Sequence, residues 1–292
     1  MLANLNDVLL PAKQGKYAVG LFNVISPEMM HGVLDAAEEL EAPVIIGAAE
    51  RMLRFLSLED LASLLLPEAE RLRVPVVVHL DHGAHEETLR RALELGFSSV
   101  MLDCSACAYE ENVARVAEMA DYAHARGASI EAELGAVLGE AGEIEGGLEA
   151  DPNDPTRYYT DPSQALDYVT RTGADALAVS VGNAHGAYKL PPKLDFRRIE
   201  TIRDEVPVPL VLHGGSGLTE EDFRRAVDCG IAKVNIFTEI NTAAAKAAAE
   251  AFESGKGLDR MLPPVRDAVK QVAGEKMRLF GSAGRAQAVS AN

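Results

Sequence analysis

Residues 74–83 read VPVVVHLDHG. Val76, Val77 and Val78 are β-branched, and only Pro75 and His79 interrupt the apolar run 74–80, the pattern of a strand covered on both faces of a parallel sheet. The run then turns polar at Asp81 and His82, and Gly83 permits a tight exit. An acid or base therefore stands beside a metal-capable imidazole where a strand ends. Taken alone, the pair could equally be a buried Asp–His that satisfies its own hydrogen bonds.

Working outward, apolar runs of the same kind recur at residues 18–23, 43–48, 99–103, 129–134, 176–180, 209–213 and 233–237. Amphipathic stretches with helical period lie between them, at 27–40, 58–73, 86–95, 110–126, 162–172 and 220–228. Gly96, Gly127, Gly173 and Gly230 stand where left-handed C-caps are expected. Eight strand-then-helix units in about 240 residues predict an α/β chain folded as a (β/α)8 TIM barrel, with a C-terminal helical extension over 241–292. A doubly wound open sheet is the runner-up, but no Gly-rich dinucleotide fingerprint follows the first strand. The whole chain, 1–292, reads as one domain, and residues 135–161, too long and too rich in Gly and acid for an ordinary βα loop, read as a mobile loop over the active face.

The 292 residues carry a formal net charge of -17, which opposes encounter with nucleic acid or an anionic membrane. It does not oppose a small phosphate focused by backbone amides, a metal and a few cations. Cys104, Cys107 and Cys229 are too few for a disulfide framework; Cys104 and Cys107 have CxxC spacing without a thioredoxin-like context. No signal peptide or membrane span is legible, so a reduced, cytoplasmic protein is expected.

In a barrel the strand C-termini carry the site, and seven of the eight predicted ends hold a polar residue suited to chemistry. These are Asn23, Asp81 with His82, Asp103, Glu131 with Glu133, Asn183 with His185, His213, and Asn235 with Thr238. His82, His185 and His213 come from three different ends, and three imidazoles with an open fourth position suit a Zn2+ ion that accepts a substrate oxygen. His79 alternates inward with Asp81 and orients a neighbour; His85 is a rival ligand at a helix start; His31 and His124 fall on helices. The stretch HGGSGLTEED, 213–222, offers a phosphate cradle: Gly214, Gly215 and Gly217 allow close approach, Ser216 adds a hydroxyl, and the helix beginning near Thr219 contributes its positive end. Asn235 and Thr238 complete it, since barrel phosphate sites favour the loops after strands seven and eight.

These residues resemble the zinc-dependent class II aldolases of the fructose-bisphosphate and tagatose-bisphosphate type. The resemblance runs through HLDHG at 79–83, VMLDCS at 100–105, EEN at 110–112, IEAELG at 130–135, TDPSQA at 160–165, AVSVGNAHGAYK at 178–189, PKLDF at 192–196, PLVLHGGSG at 209–217, KVNIFTE at 233–239 and GSAGR at 281–285, in family order. It implies a lyase that cleaves a ketose 1-phosphate or 1,6-bisphosphate reversibly to dihydroxyacetone phosphate and an aldehyde. It implies Zn2+ on His82, His185 and His213, Asp81 as the catalytic carboxylate, and a second divalent-ion position at Glu133 and Asp103. The ketose would rest on Asn23, Gly186, Lys189, Gly214, Gly215, Ser216, Asn235 and Thr238, with Na+ or K+ near the glycines. A homodimer or homotetramer is expected. The chemistry agrees: breaking a carbon–carbon bond beside a ketone leaves an electron pair that a divalent cation stabilises. Lys189 and Lys233 read as anion-binding or solvent-facing, not as Schiff-base lysines.

Two departures from the family pattern stand out. After its double glycine the family's loop carries an acid pair, whereas this chain reads LGEAGE at 138–143, leaving Glu140 and Glu143 as displaced proton donors. After the second strand the family places a Ser or Thr toward the far end of the substrate; here the run IIGAAER, 45–51, puts Ala49 there, followed by a Glu50 that would repel a second phosphate. Arg51, Arg260 and Arg266 are the candidate replacement anchors. Two rival functions are a zinc hydrolase on the same barrel, which needs no phosphate cradle, and a non-catalytic sugar-phosphate sensor or scaffold, which needs no Asp81.

Overall fold

The structure, a computed structural model, describes residues 1–137, 143–144, 148–149, 155–184, 193–215 and 217–289. Its centre is built from eight strands: β1 Val19–Asn23, β2 Val44–Ala49, β3 Val76–Gly83, β4 Ser99–Leu102, β5 Ser129–Leu134, β6 Ala176–Val179, β7 Leu210–Leu212 and β8 Ile231–Ile236. Each pairs in parallel with the next in sequence, and β8 pairs with β1, so the sheet closes. Closure leaves no edge and buries both faces of every strand, which is why the runs are mostly apolar. The expected (β/α)8 TIM barrel with C-terminal helices is the fold.

Ten long helices follow in chain order: α1 Leu5–Gly15, α2 Pro27–Glu39, α3 Leu58–Arg71, α4 Glu86–Leu95, α5 Tyr109–His124, α6 Pro162–Thr172, α7 Phe196–Glu205, α8 Glu220–Cys229, α9 Thr238–Glu253 and α10 Leu258–Leu279. Their starts obey capping chemistry. Ser26, Ser57, Asp161 and Asp195 each accept an amide of the first turn, and Thr219 forms a capping box with Asp222.

Two helices go beyond the sequence reading. In α1 the interior Pro11 hides the helical pattern, yet Leu5, Val8, Leu9 and Ala12 are buried and pack with Val19, Leu21, Ile45, Val77 and Val211 as a plug under the barrel. In α7 only Ile199 and Ile202 are buried, too sparse a stripe to show as a period. The C-terminal helix α10 lies against α2 at close range: a Cβ on Gly32 would come within 2.7 Å of the Arg266 carbonyl. Within 135–161, a two-residue ladder pairs Glu143 with Glu149 and Ile144 with Leu148.

Strand ends shift by a few residues for simple reasons. Pro75 has no N–H to give, so β3 starts at Val76, and it runs on through Gly83, carrying Asp81 and His82 inside the strand. β7 stops at Leu212, which leaves His213 just beyond it.

Candidate active site

The period of two along β3, β5 and β8 turns His79 and Asp81, Glu131 and Glu133, and Lys233 and Asn235 into the barrel. All six are buried. Their polar atoms meet above the apolar plug. Asn23 donates to Asp81 Oδ2 at 2.7 Å, and Asn235 donates to both Asp81 oxygens at 3.0 and 3.2 Å. Lys233 donates to Asn235 Oδ1 at 2.8 Å and pairs with Glu131 at 2.8 Å. Glu131 in turn reaches His213 Nε2 at 2.8 Å, while Glu133 reaches Nδ1 of the same ring at 3.0 Å. His79 is anchored through Nδ1 to Ser99 Oγ at 2.8 Å, with Nε2 3.8 Å from Asp81.

His82 holds a left-handed backbone, φ 44, that costs a non-glycine residue roughly 1–2 kcal/mol and persists only when its surroundings enforce it. The turn of the chain there sends the ring toward the barrel axis. Its Nδ1 lies 3.2 Å from Asp103 Oδ2, and its ring meets that of His213 edge to face with centroids 4.5 Å apart. Ligand-type atoms of Asp81, His82 and His213 lie within 4.8 Å of one another, as do those of His82, Asp103 and Glu133. Nitrogen from imidazole and oxygen from carboxylate is a donor set that suits zinc.

The charges settle accordingly. Burial and His82 pull the His213 imidazolium down, but the two glutamates outweigh them and push it up to about 9. Burial favours neutral Asp81, yet the nearby His82, His79, Lys233 and His213 hold its carboxyl well below the usual range. Glu131, also buried, is lowered to about 2, chiefly by Lys233 and then His213. Asp103 is lowered against its burial by His82 and Ser105. Burial lowers His79.

A barrel that gathers, among the described residues, three histidines, four carboxylates and two asparagines has matches among known proteins. The family model described as "Fructose-bisphosphate aldolase class-II" matches residues 3–285. The chain belongs to the class II fructose-bisphosphate aldolase family. It is 41% identical over 291 residues to a fructose-bisphosphate aldolase of Geobacillus stearothermophilus, covering 98% of this chain and 99% of that one. It is 42% identical over 287 residues to the protein YdjI of Escherichia coli strain K12, covering 98% and 100%. The crystal structure of the YdjI aldolase superposes with a TM-score of 0.88 at 40% identity, covering 98% of this chain and 100% of that one. As a class II aldolase family member the chain is a lyase acting on small sugar phosphates.

Within this aldolase fold the sequence-predicted residues fall into three groups. Asn23, Asp81, His82, Asp103, Glu133, His213 and Asn235 converge at the barrel mouth. Gly214 and Gly215 follow His213, with Gly214 at φ 62, and Thr238 opens α9 directly above β8. His185, Gly186, Lys189, Ser216 and Glu140 lie outside the described residues, and Glu143 is placed only by its backbone in the short ladder.

Three readings are corrected. Lys233 is neither solvent-facing nor placed for an external anion: it is fully buried and neutralises Glu131. Its position two residues before Asn235 put it on the inward face, a signal present in the sequence. His85 is no rival ligand, because its side chain is 77% exposed and bonded to Glu50. Glu50 directs both oxygens at the loop after β3, not at an empty mouth.

Among the described residues no helix is long and apolar enough to cross a membrane.

Proposed function

We propose that this aldolase is zinc-dependent and cleaves a ketose 1-phosphate, reversibly, to dihydroxyacetone phosphate and an aldehyde. The observation that carries the reading is the setting of Asp81: a buried carboxylate held by Asn23 and Asn235 beside the facing rings of His82 and His213. Zn2+ would be held by His82, His213 and, by the family resemblance, His185, with Asp103 and Glu133 offering a second divalent-ion position. When bound, the ion stabilises negative charge developing on the ketose oxygens as the bond breaks.

The protein's own residues do the rest. Asp81, kept ionised by its neighbours, removes the proton from the hydroxyl on the carbon that becomes the aldehyde. Asn23 and Asn235 fix the carboxylate, and Asn23 Oδ1, buried without a partner among the described residues, is available to a substrate hydroxyl. Both nitrogens of His213 face a carboxylate, so whichever ligates, the other keeps the carboxylate partner that typically orients a metal-bound imidazole. Gly214, Gly215, Ser216, Gly186, Lys189, Asn235 and Thr238 would cradle the 1-phosphate, with Na+ or K+ beside the glycines; Glu140 and Glu143 are the proposed proton donors.

At the far end, Ala49 offers no hydrogen-bond donor, and Arg266 is held bidentate by Asp35 at 2.6 and 2.8 Å. Both support an aldehyde half without a second phosphate. The reading includes a cytoplasmic homodimer or homotetramer, which sedimentation would test. A panel of ketose 1-phosphates and 1,6-bisphosphates, assayed for triose phosphate release with and without chelator, tests the function directly; release from none of them refutes it.

A further inference from the structure

We propose that Glu50 is a positioning residue that sets the loop carrying His82 by holding the backbone just beyond it. The inference rests on the metal-binding part of the function proposed above. Glu50 opens the short turn Glu50–Met52 after β2, and its side chain crosses to the neighbouring loop between β3 and α4. One oxygen accepts the amides of Ala84 at 2.5 Å and His85 at 3.1 Å. The other accepts from Thr88 Oγ1 at 2.6 Å and meets His85 Nδ1 at 2.9 Å. The side chain is only 14% exposed, and among the described residues no lysine or arginine pairs with it. It is held by hydrogen bonds alone.

The geometry explains why an acceptor of this reach is wanted there. α4 begins at Glu86 with His85 as its N-cap, and His85 makes no side-chain capping bond. Glu50 instead accepts the amides of Ala84 and His85, immediately ahead of that helix start, from the adjacent strand's end. Between that anchor and the barrel lie Gly83, where a Cβ would come within 2.2 Å of Leu89 Cδ1, and His82 in its left-handed backbone. A backbone so constrained needs to be held on both sides. Asp103 grips the His82 ring from one side, and Glu50 grips the chain two residues later from the other. Ala84 and His85 are exposed, so water can satisfy their amides if Glu50 is removed. Folding then survives while the placement of the ring loosens.

The test uses full-length Glu50→Ala, Glu50→Asp and Glu50→Gln variants. Metal-free protein is titrated with Co2+ and Zn2+ against a chromophoric chelator, and amide hydrogen exchange is followed over residues 80–88. Glu50→Gln keeps an acceptor at the right reach and should bind metal within about threefold of wild type. Glu50→Ala should weaken metal binding by about tenfold or more, the usual cost of losing a support behind a ligand. It should also speed exchange at 84–88 and lower kcat more than it changes KM. Glu50→Asp keeps the charge but falls one methylene short, and should lose affinity as Glu50→Ala does. The proposal is overturned if Glu50→Ala binds metal and exchanges like wild type, or if Glu50→Asp behaves as wild type while Glu50→Gln does not, since charge and not reach would then matter. Metal affinity and exchange decide the point even if the wild type cleaves no sugar phosphate.

Discussion

Lys233 and Glu131 form a fully buried ion pair at 2.8 Å across the middle of the barrel, and His213 hangs from the same glutamate. The pair sits between the apolar plug made by α1 and the polar mouth. It therefore couples the stability of the barrel to the placement of a proposed metal ligand.

Removing one partner strands the other. Lys233→Met should destabilise folding by about 3–5 kcal/mol, because Glu131 is left charged in the interior. Adding Glu131→Gln should recover part of that loss, although His213 then loses a partner. Urea unfolding of the single and double variants measures both effects, and a Lys233→Met variant within about 1 kcal/mol of wild type would refute the account.

Turnover should stop on chelation and return with Zn2+ or Co2+. His213→Ala should lose metal and rate together, since a three-ligand site does not tolerate the loss of one. Elemental analysis beside the activity assay checks this; turnover in protein shown to be metal-free sinks the mechanism.

Asp81→Ala should lower kcat by about 10²–10⁴-fold, the usual worth of a positioned general base, while Zn2+ and substrate still bind. Asn235→Ala should act in the same direction but less, because Asn23 still holds one Asp81 oxygen. Calorimetric metal binding separates the roles: an Asp81→Ala protein that binds no metal would make Asp81 a ligand instead.

In the metal-free protein, His213 has its proton affinity raised from 6.5 to about 9. A group raised on folding contributes stability that is complete below its unfolded value and is lost as pH climbs through the folded one. The urea midpoint of metal-free protein should therefore fall between pH 6.5 and 9. Metal loading near pH 8 should release a proton, visible as a dependence of binding heat on buffer ionisation enthalpy. A flat or rising midpoint would mean the two glutamates do not hold that proton.

Charge-assisted hydrogen bonds are worth roughly 1.5–3 kcal/mol each, so without a donor at Ala49 or a free Arg266 a second phosphate gains little. The ratio of kcat/KM for a 1,6-bisphosphate to that for a 1-phosphate with an uncharged aldehyde half should stay below about tenfold. Ala49→Ser should raise the bisphosphate value by about tenfold, one such bond. A strong bisphosphate preference in the wild type would defeat the idea and point to Arg51, Arg260 or Arg266.

The repeat of apolar runs and amphipathic stretches determined the barrel, because burial on both faces of every strand writes itself directly into composition. That Asp81, His82, His213, Glu133 and Asn235 would meet at one end of the barrel was legible because the strands of a parallel barrel end together. What the sequence could not decide was pairing across the barrel. Lys233 read as a solvent or anion lysine until the closed sheet placed it against Glu131, 102 residues away. Glu50 read as a repelling charge until β2 and β3 lay side by side and its oxygens met the amides of Ala84 and His85. The helix α1 was hidden because Pro11 interrupts its pattern, and only the closed barrel shows its buried face packed on residues of several strands. Strand ends follow from local pattern, but which buried charge neutralises which depends on strand register and closure, and those exist only in the folded barrel.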